Sequence, residues 1–325
     1  MPVTDGYRRR GPHRLARVPD VELVPATLPV VAELGRIESG RLWLARLPSL
    51  IEQVRDEFGL RLSAPLHGGS CSWVAPARLP DGTAVVVKIG WPHREMYGEP
   101  AALRLWDGRG AVRLLGHDPG RHALLLERCE PGQPLASSPG TAEDRLRAGC
   151  AVLRLLWEAA PPATGAIDDL GAVTAEWADL VEERMARVRP GYDAGLVAEG
   201  ARLLRDLPGS AAQRVLLHGD FNPGNILSCH GGRWLAIDPK PMVGDPAYDP
   251  WPLLQQVDDP FAQPDPAATL RRRVGLIAEE LSLPADRIVQ WAVARRVETA
   301  LWSAHHGDLA AGAAAMAQVR LLATL

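Results

Sequence analysis

The residues best suited to chemistry lie in a short stretch where an apolar run leads into a polar turn. The stretch reads Leu216-Leu217-His218-Gly219-Asp220-Phe221-Asn222-Pro223-Gly224-Asn225-Ile226-Leu227. A strand that ends here delivers Asp220 and, five residues later, Asn225 to one turn, where both side chains can point into one pocket. A second apolar run, Trp234-Leu235-Ala236-Ile237, ends in Asp238, and we expect this carboxylate to face the same pocket.

Two carboxylates and an amide in one pocket are suited to the transfer of a phosphoryl group from a nucleotide. Such a transfer needs one carboxylate to orient and deprotonate the attacking hydroxyl, and an Asn and an Asp whose oxygens hold Mg²⁺ against the phosphates. The spacing H-x-D-x-x-x-x-N from His218 to Asn225 matches the catalytic loop of kinases. Because this pattern alone is equally compatible with a plain polar β-turn, the interpretation depends on Asp238 and on a lysine far upstream.

Lysine occurs only at positions 88 and 240, and arginine supplies the other 34 of the 36 basic residues. Arginine serves a solvated surface as well as lysine does, so such a chain should retain lysine mainly where a compact, flexible ammonium is needed. Lys88 ends a valine-rich strand, where an ammonium can bridge phosphates if a carboxylate on the following helix anchors it. Of the candidates Glu95 and Glu99, we prefer Glu99, which lies deeper in the helix. The alternative is a strand-end lysine whose ammonium reaches solvent.

Two further segments are candidates for binding the nucleotide. Gly68 and Gly69, between two β-type runs, can lay backbone N–H groups over phosphates, although paired glycines are also typical of an ordinary tight loop. The apolar run 124–126 continues through Glu127 to Cys129, where we expect hinge backbone groups to meet an adenine edge. An edge strand that leads into a linker is an equally compatible interpretation.

Composition limits the class of protein and its partners. The chain has 325 residues, 46% hydrophobic and 23% charged, which suits a large two-lobed globular unit. The net charge of −3 supplies no positive field for nucleic acid. The four cysteines show neither a CxxC pair nor zinc-like spacing, and prolines and glutamates interrupt the moderately apolar stretch 21–34. We predict a cytoplasmic protein with a small-molecule partner and no nucleic-acid or membrane partner. The sequence does not determine the oligomeric state, for which a monomer is favoured.

The hydrophobic periodicity predicts three parts of the chain. Residues 1–38 are predicted to form an N-terminal arm of loose order. Residues 39–129 should form a small N-lobe that binds the nucleotide phosphates, with an antiparallel sheet and one inserted helix. Residues 130–325 should form a larger, mostly helical C-lobe with the catalytic loop, the metal site and the acceptor pocket. The predicted fold class is therefore α+β.

Individual elements follow from apolar spacing and from turn residues. Hairpins are predicted around Asp81-Gly82 and around 116–120. Helices are predicted over 40–58, 92–106, 141–159, 172–188, 194–206, and from 266 to the end with a break at Pro284.

Taken together, the order and spacing of Lys88, Glu99, His218-Gly219-Asp220, Asn225 and Asp238 resemble the aminoglycoside phosphotransferases, small-molecule kinases with a protein-kinase-like, two-lobed fold. Two further motifs are similar to the branch of streptomycin 6-phosphotransferases and hydroxyurea phosphotransferases. They are Leu103-Arg104-Leu105-Trp106-Asp107-Gly108 and the run 234–246, which contains Ile237-Asp238-Pro239-Lys240-Pro241.

The resemblance implies ATP or another nucleoside triphosphate, Mg²⁺, and a role for each matched residue. Asp220 is the implied base and His218 braces the catalytic loop. Asn225 and Asp238 are the implied Mg²⁺ ligands, Lys88 is the phosphate lysine, and Glu99 is its partner. Gly244-Asp245-Pro246 is an implied structural turn near the acceptor pocket. The implied activity transfers the γ-phosphate of ATP to a hydroxyl of an aminoglycoside, such as the 6-hydroxyl of streptomycin, as in antibiotic resistance.

The acceptor is less determined than the reaction. Streptomycin is a dication through its guanidines, so a pocket for it should offer carboxylates and aromatic faces. Lys240 repels such an acceptor if it faces the pocket and suits a phosphate if it points toward the nucleotide, so an amino sugar or hydroxyurea remains an alternative acceptor. Candidates for the acceptor pocket fall into two sets. The residues that follow the metal aspartate are Asp249, Trp251, Asp258 and Asp259, and those that share one helix face are Trp291, Arg295, Glu298 and Trp302. The spacing of the second set is also typical of plain helix packing.

Two other classes of protein fit less well. A metallophosphoesterase would need a D-x-H strand end and a G-N-H turn, and the sequence contains neither. A catalytically silent nucleotide-binding scaffold would have lost an essential side chain, whereas Lys88, Asp220, Asn225 and Asp238 are all present. We therefore predict an active small-molecule kinase.

Overall fold

The structure, a computed structural model, describes residues 22–325 except 163, 164 and 166. Its first part is the N-lobe, a five-stranded sheet with helices before it and inserted in it. The elements of this lobe are, in chain order, α1 Pro29–Leu34, α2 Glu38–Phe58, β1 Arg61–Leu62, β2 Ser72–Arg78, β3 Ala84–Gly90, α3 Arg94–Tyr97, α4 Glu99–Trp106, β4 Leu114–Asp118 and β5 Ala123–Glu127.

The sheet of the N-lobe has the order β1-β2-β3-β5-β4, with every neighbouring pair antiparallel. The predicted β2–β3 turn is confirmed: the Leu79 backbone N–H donates to the Thr83 carbonyl at 3.0 Å, and Gly82 has a φ of 90°. Side chains along β3 alternate between the two faces of the sheet. Val85 and Val87 therefore point into the N-lobe core with α2, while Lys88 points to the opposite face, toward the C-lobe.

Part of the predicted arm is integral to the N-lobe, which corrects the expectation of loose order over residues 28–38. Leu28, Val30 and Leu34 are buried in the same core as α2, and the indole N–H of Trp73 donates to the Leu23 carbonyl at 2.6 Å. Apolar α1 residues cover one side of α2, which the proline-rich sequence did not suggest. Residues 1–21 of the arm lie outside the described residues.

Two predicted elements of the N-lobe differ in detail. The helix expected over 92–106 is two helices, α3 and α4, with Gly98 between them. In the hairpin expected around 116–120, the apolar run 111–115 was expected to form the first strand. This strand, β4, begins only at Leu114, because the backbone at 111–112 pairs with Ala236 of the C-lobe instead. This pairing ties the N-lobe to the strand that precedes Asp238.

The second part is the C-lobe, a mostly helical unit with two small sheets of order β6-β10-β7 and β8-β9. The helices predicted over 141–159, 172–188 and 194–206 are confirmed within a few residues at their ends, as is the break at Pro284. The helical region after 266 is broken a second time, at residues 306–308, where Gly307 has a φ of 89°. This second break was not predicted from the sequence. The elements of the C-lobe are α5 Ala142–Trp157, β6 Asp168–Asp169, α6 Leu170–Val188, α7 Ala194–Gly209, β7 Val215–Leu217, β8 Ile226–Cys229, β9 Arg233–Ala236, β10 Met242–Gly244, α8 Pro250–Gln256, α9 Pro266–Leu281, α10 Ala285–His305 and α11 Leu309–Leu322.

Local signals explain where these helices begin. Thr141 forms a capping box with Asp144, and aspartates accept backbone N–H groups at the first turns of four other helices. These N-caps are Asp169, Asp193, Asp265 and Asp308. The helices enclose a large core that also takes in Ala102, Leu103 and Trp106 of α4. The helix of the N-lobe that carries Glu99 is thus packed into the C-lobe.

The packing of α2 can be tested with two leucines of the same helix. We expect Leu47→Ala to lower the free energy of unfolding by about 2–5 kcal/mol, because Leu47 is fully buried and its loss leaves a cavity. Leu42→Ala is the matched control, since Leu42 is 65% exposed. It should change the free energy by less than about 0.5 kcal/mol. Urea unfolding followed by circular dichroism measures both, and equal effects would contradict the placement of α2.

Candidate active site

Lys88 lies at the centre of a buried ionic group between the lobes. Its Nζ donates to Glu99 Oε1 at 2.8 Å, to Glu99 Oε2 at 2.7 Å and to Asp238 Oδ1 at 2.6 Å. The Lys88 side chain is 11% exposed and that of Glu99 is 3% exposed. The partner of Lys88 is therefore Glu99, as expected, and β3, α4 and the segment after β9 meet at one ammonium.

The electrostatics keep Lys88 and Asp238 ionised. Burial alone would lower the pKa of the Lys88 ammonium, but the carboxylates of Glu99 and Asp238 outweigh it and raise the pKa above its ordinary value. Burial alone would raise the pKa of Asp238, but Lys88 and Lys240 lower it well below the ordinary range. Asp238 is thus a carboxylate at neutral pH, which is the form that binds a metal ion.

The catalytic-loop aspartate is held by the amides of its own turn. Asn222 Nδ2 donates to Asp220 Oδ1 at 3.1 Å, and Asn225 Nδ2 donates to Asp220 Oδ2 at 3.2 Å. Asn225 Nδ2 also donates to the Asp220 carbonyl at 3.1 Å. These contacts fix the orientation of the carboxylate, which has no positive partner among the described residues, so the carboxylate is available to a substrate. The five-residue spacing from Asp220 to Asn225 therefore produces the pocket expected from the sequence.

His218 is a buried structural residue beneath this turn. Its Nε2 donates to the Ile237 carbonyl at 3.0 Å, and its ring lies between Trp106 and Phe221. Burial lowers the pKa of the imidazole, which is therefore neutral at pH 7. Through Ile237, His218 connects the catalytic loop to the strand that ends at Asp238.

Asp249 also holds the catalytic loop, although the sequence placed it among the candidates for the acceptor pocket. Its carboxylate is completely buried and accepts the backbone N–H of His218 at 2.9 Å, that of Gly219 at 2.8 Å, and the indole N–H of Trp157 at 3.2 Å. All of these donors come from the protein interior. Asp249 therefore holds the backbone of the catalytic loop instead of contributing to the acceptor pocket.

Gly219 is required by a close approach of two loops. Its φ is 83°, and a Cβ at this position would lie 2.0 Å from the Lys240 carbonyl oxygen. The same two loops are joined by a hydrogen bond from the Lys240 backbone N–H to the His218 carbonyl at 2.8 Å. Glycine here allows Asp220, Asp238 and Lys240 to converge.

The chemistry of the donor set fits Mg²⁺. The amide oxygen of Asn225 and Oδ2 of Asp238 accept no hydrogen bond from any described residue, and their segments are paired by the Ile237 backbone N–H donating to the Asn225 carbonyl at 2.9 Å. Both are hard oxygen donors. Mg²⁺ binds through one or two such ligands, with phosphates and water completing the shell. Accordingly, no cluster of three or more His, Cys, Asp or Glu ligands is found in the described part of the chain.

Two neighbouring cavities open onto Asp220. The smaller, about 150 Å³, is lined by Gly69 and the following residues 70–72, together with Lys88, Glu99 and Asp238. The larger, about 440 Å³, extends over the C-lobe. Three residues line both cavities: Glu95, Asp220 and Lys240. Asp220 therefore lies at the boundary between a phosphate-sized pocket beside Lys88 and a larger pocket with room for a small molecule.

Of the other residues predicted to contact the nucleotide, one lines the smaller cavity and three line neither cavity. Gly69 lines the smaller cavity, whereas the lining of the two cavities does not include Gly68, Glu127 or Cys129. Glu127 ends β5, and its side chain accepts the Arg113 backbone N–H at 3.1 Å. Cys129 is buried, and burial raises the pKa of its thiol. Adenine binding at this hinge stays a prediction.

Of the eight candidates for the acceptor pocket, Arg295 lines the larger cavity. Trp251 and Trp291 are core residues, and the Trp291 indole donates to Asp245 at 2.6 Å. Glu298 pairs with Arg184 at 3.0 Å, and Trp302 is 49% exposed on the surface. Asp258 pairs with Arg145, and Asp259 caps a short helical turn.

The residues that line the larger cavity come from elements that are far apart in the chain. Arg295 Cζ stacks over the Tyr248 ring at 4.1 Å, and Arg94 Nε donates to Asp168 at 2.8 Å. The lining side chains that sequence reasoning missed are Arg94, Tyr97, Asp168, Val173, Trp177, Met242 and Tyr248. Because α3, β6, α6, β10 and the short helical turn Pro246–Tyr248 supply these side chains, no local spacing in the sequence marks them as a set.

The fold and this site define the class. A strand lysine paired with a helix glutamate, opposite an aspartate and an asparagine of one loop, is the arrangement of protein-kinase-like phosphotransferases. The structure of choline kinase from Streptococcus pneumoniae aligns with this fold at a TM-score of 0.61 and 15% identity, covering 85% of this chain and 100% of that one.

Comparison with protein-family models identifies the family. Residues 62–307 match the model described as aminoglycoside/hydroxyurea antibiotic resistance kinase. The chain belongs to this family and is a small-molecule kinase, an enzyme class that uses a nucleotide as phosphoryl donor. The family and the fold class predicted from the sequence are thereby confirmed.

Two curated relatives match most of the chain. The streptomycin 6-kinase of Streptomyces glaucescens is 34% identical over 304 residues, which cover 93% of this chain and 98% of the relative. The hydroxyurea phosphotransferase of Kitasatospora aureofaciens is 33% identical and covers 94% of this chain and 88% of the relative. None of the helices in the described ranges has the length and apolar character that a membrane crossing needs.

The contact at Gly219 can be tested by adding one methyl group. We expect Gly219→Ala to lower the free energy of unfolding by more than the roughly 1–2 kcal/mol that a left-handed backbone costs alanine, because the Cβ meets the Lys240 carbonyl. It should also abolish kinase activity.

Gly231→Ala is the matched control, since Gly231 has a φ of 78° and open space around its Cβ position. Thermal unfolding and nucleotide consumption measure both variants. Equal destabilisation of the two would contradict the inferred loop contact.

Proposed function

We propose that the protein transfers the γ-phosphoryl group of ATP to a hydroxyl of an aminoglycoside such as streptomycin, at the 6-hydroxyl. The observation that carries this proposal is the position of Asp220, which lines both the pocket beside Lys88 and the larger cavity. The family match and the named streptomycin 6-kinase relative support the choice of acceptor.

Each residue has a chemical task in this reaction. Asp220 orients the acceptor hydroxyl and takes its proton as a bond forms between the acceptor oxygen and the γ-phosphorus. The bond from the γ-phosphorus to the bridging oxygen breaks, and its electron pair stays with ADP. Lys88, fixed by Glu99, holds the inner phosphates. Asn225 and Asp238 would hold Mg²⁺, which would supply positive charge for the phosphate groups.

A second candidate acceptor is a less cationic metabolite, such as an amino sugar or hydroxyurea. The observation that favours it is the charge of the larger cavity, whose lining is balanced between basic and acidic residues. The basic residues are Arg94, Lys240 and Arg295, and the acidic residues are Glu95, Asp168 and Asp220. A dication gains less from such a lining than from a predominantly acidic pocket.

We also propose that the enzyme acts as a monomer in the cytoplasm, with the lobe boundary at residues 129–130. The four free cysteines support a reducing compartment. The change from the β5 strand to the loop before α5 supports the boundary.

The choice of acceptor predicts the outcome of a substrate panel. We expect ATP consumption in the presence of streptomycin, with a product whose mass is increased by one phosphoryl group. Other aminoglycosides, amino sugars and hydroxyurea form the rest of the panel. Turnover of hydroxyurea or an amino sugar with no response to streptomycin would reject the aminoglycoside and support the second candidate.

The base can be tested separately from nucleotide binding. We expect Asp220→Asn to lower kcat by roughly 10²–10⁴-fold, because the amide cannot accept the hydroxyl proton. The affinity for ADP should remain close to that of the wild type, since Asp220 is assigned to the acceptor side. Asp206→Asn, at an exposed carboxylate of α7, is the control and should retain full activity. Wild-type turnover by the Asp220 variant would reject the proposed mechanism.

A further inference from the structure

The chain's two lysines meet on one oxygen atom. Lys88 Nζ lies 2.6 Å and Lys240 Nζ 3.0 Å from Asp238 Oδ1. A chain that otherwise uses arginine for positive charge thus places both of its ammonium groups at the same carboxylate. The site of Lys88 is explained by the inner phosphates, whereas the presence of Lys240 needs a separate explanation.

The two ammonium groups are held very differently. Lys88 is also bound by both oxygens of Glu99, and its side chain is 11% exposed. Lys240 is 26% exposed, and its other contact within the described residues is the Asp238 carbonyl at 3.5 Å. Its Nζ can therefore leave Asp238 for a ligand without breaking a second ion pair.

The backbone of Lys240, by contrast, is fixed beside the catalytic loop. Its N–H donates to the His218 carbonyl at 2.8 Å, and its carbonyl packs against Gly219. From this fixed position the side chain lines both cavities, as Asp220 does. Lys240 thus lies at the boundary that a phosphoryl group crosses on its way from nucleotide to acceptor.

We propose that Lys240 binds the terminal phosphoryl group of the nucleotide, the group that is transferred, while Lys88 holds the inner phosphates. This inference rests on the proposed phosphoryl transfer. When the nucleotide enters, the Lys240 ammonium moves from Asp238 Oδ1 to the terminal phosphate oxygens, over which the negative charge is spread during transfer. A compact ammonium with three donors on a flexible stem is suited to following that group.

The experiment compares two nucleotides that differ by the terminal phosphoryl group. Binding of ADP and of the β,γ-imido analogue of ATP, each with Mg²⁺, is measured by isothermal titration calorimetry. We expect Lys240→Met to weaken the analogue by at least about tenfold, the factor for one lost charge-assisted hydrogen bond, while ADP binding stays within about twofold of the wild type. Lys88→Met should weaken both nucleotides.

Two further variants serve as controls. Arg271→Met removes an exposed positive charge from α9, away from the lining of both cavities, and should change neither affinity. Lys240→Arg keeps the charge and should recover part of the affinity for the analogue. Circular dichroism reports whether each variant is folded, and if Lys240→Met does not fold, Lys240→Gln replaces it.

Equal losses of ADP and analogue affinity in the Lys240 variants would overturn the inference, and so would wild-type affinity for both. The proposed acceptor is judged independently of this result. If the Lys240 variants lose affinity for the analogue alone while the wild-type protein does not phosphorylate streptomycin, that result would reject the proposed acceptor and leave the proposed role of Lys240 in place.

Discussion

The site depends on the burial of one ammonium between two carboxylates. Taking the charges of Lys88 and Glu99 out of water is costly, and Asp238 beside them is 34% exposed, so the group formed by these three residues contributes little net stability by itself. Removing Lys88 would leave the Glu99 carboxylate buried without its positive partner, at a cost of roughly 3–5 kcal/mol. The group therefore constrains geometry more than it adds stability. The chain folds only with β3, α4 and the segment after β9 placed so that these three side chains meet.

Backbone contacts extend this constraint to the catalytic loop. The Asp249 carboxylate holds the N–H groups of His218 and Gly219, and the Lys240 N–H holds the His218 carbonyl. Because Gly219 has no side chain, the backbone of Lys240 can lie directly against the catalytic loop. Asp220 and Asp238 come from different strands, yet they are positioned by a shared set of buried hydrogen bonds.

The sequence was sufficient to bring the lysine, the aspartates and the asparagine of the site together and insufficient for the acceptor side. Lys88, Asp220, Asn225 and Asp238 lie at the ends of short apolar runs, where strand alternation and turn spacing determine the direction of a side chain. The larger cavity is assembled from side chains such as Arg94, Asp168 and Arg295, whose proximity depends on how helices pack. The aspartate at 249 shows the same limit, because its sequence context does not reveal that its carboxylate is buried under the loop.

The attachment of α4 has a mechanical consequence. At its first residue the helix holds Lys88 of the N-lobe sheet through Glu99, and at its last residue Trp106 is buried in the C-lobe, where its indole donates to the Leu156 carbonyl at 3.1 Å. The lobes are therefore not two rigid bodies joined by the linker near residue 130 alone. A relative rotation of the lobes that preserves the C-lobe core therefore also has to change the position of Glu99, and with it the ion pair to Lys88, relative to the N-lobe sheet.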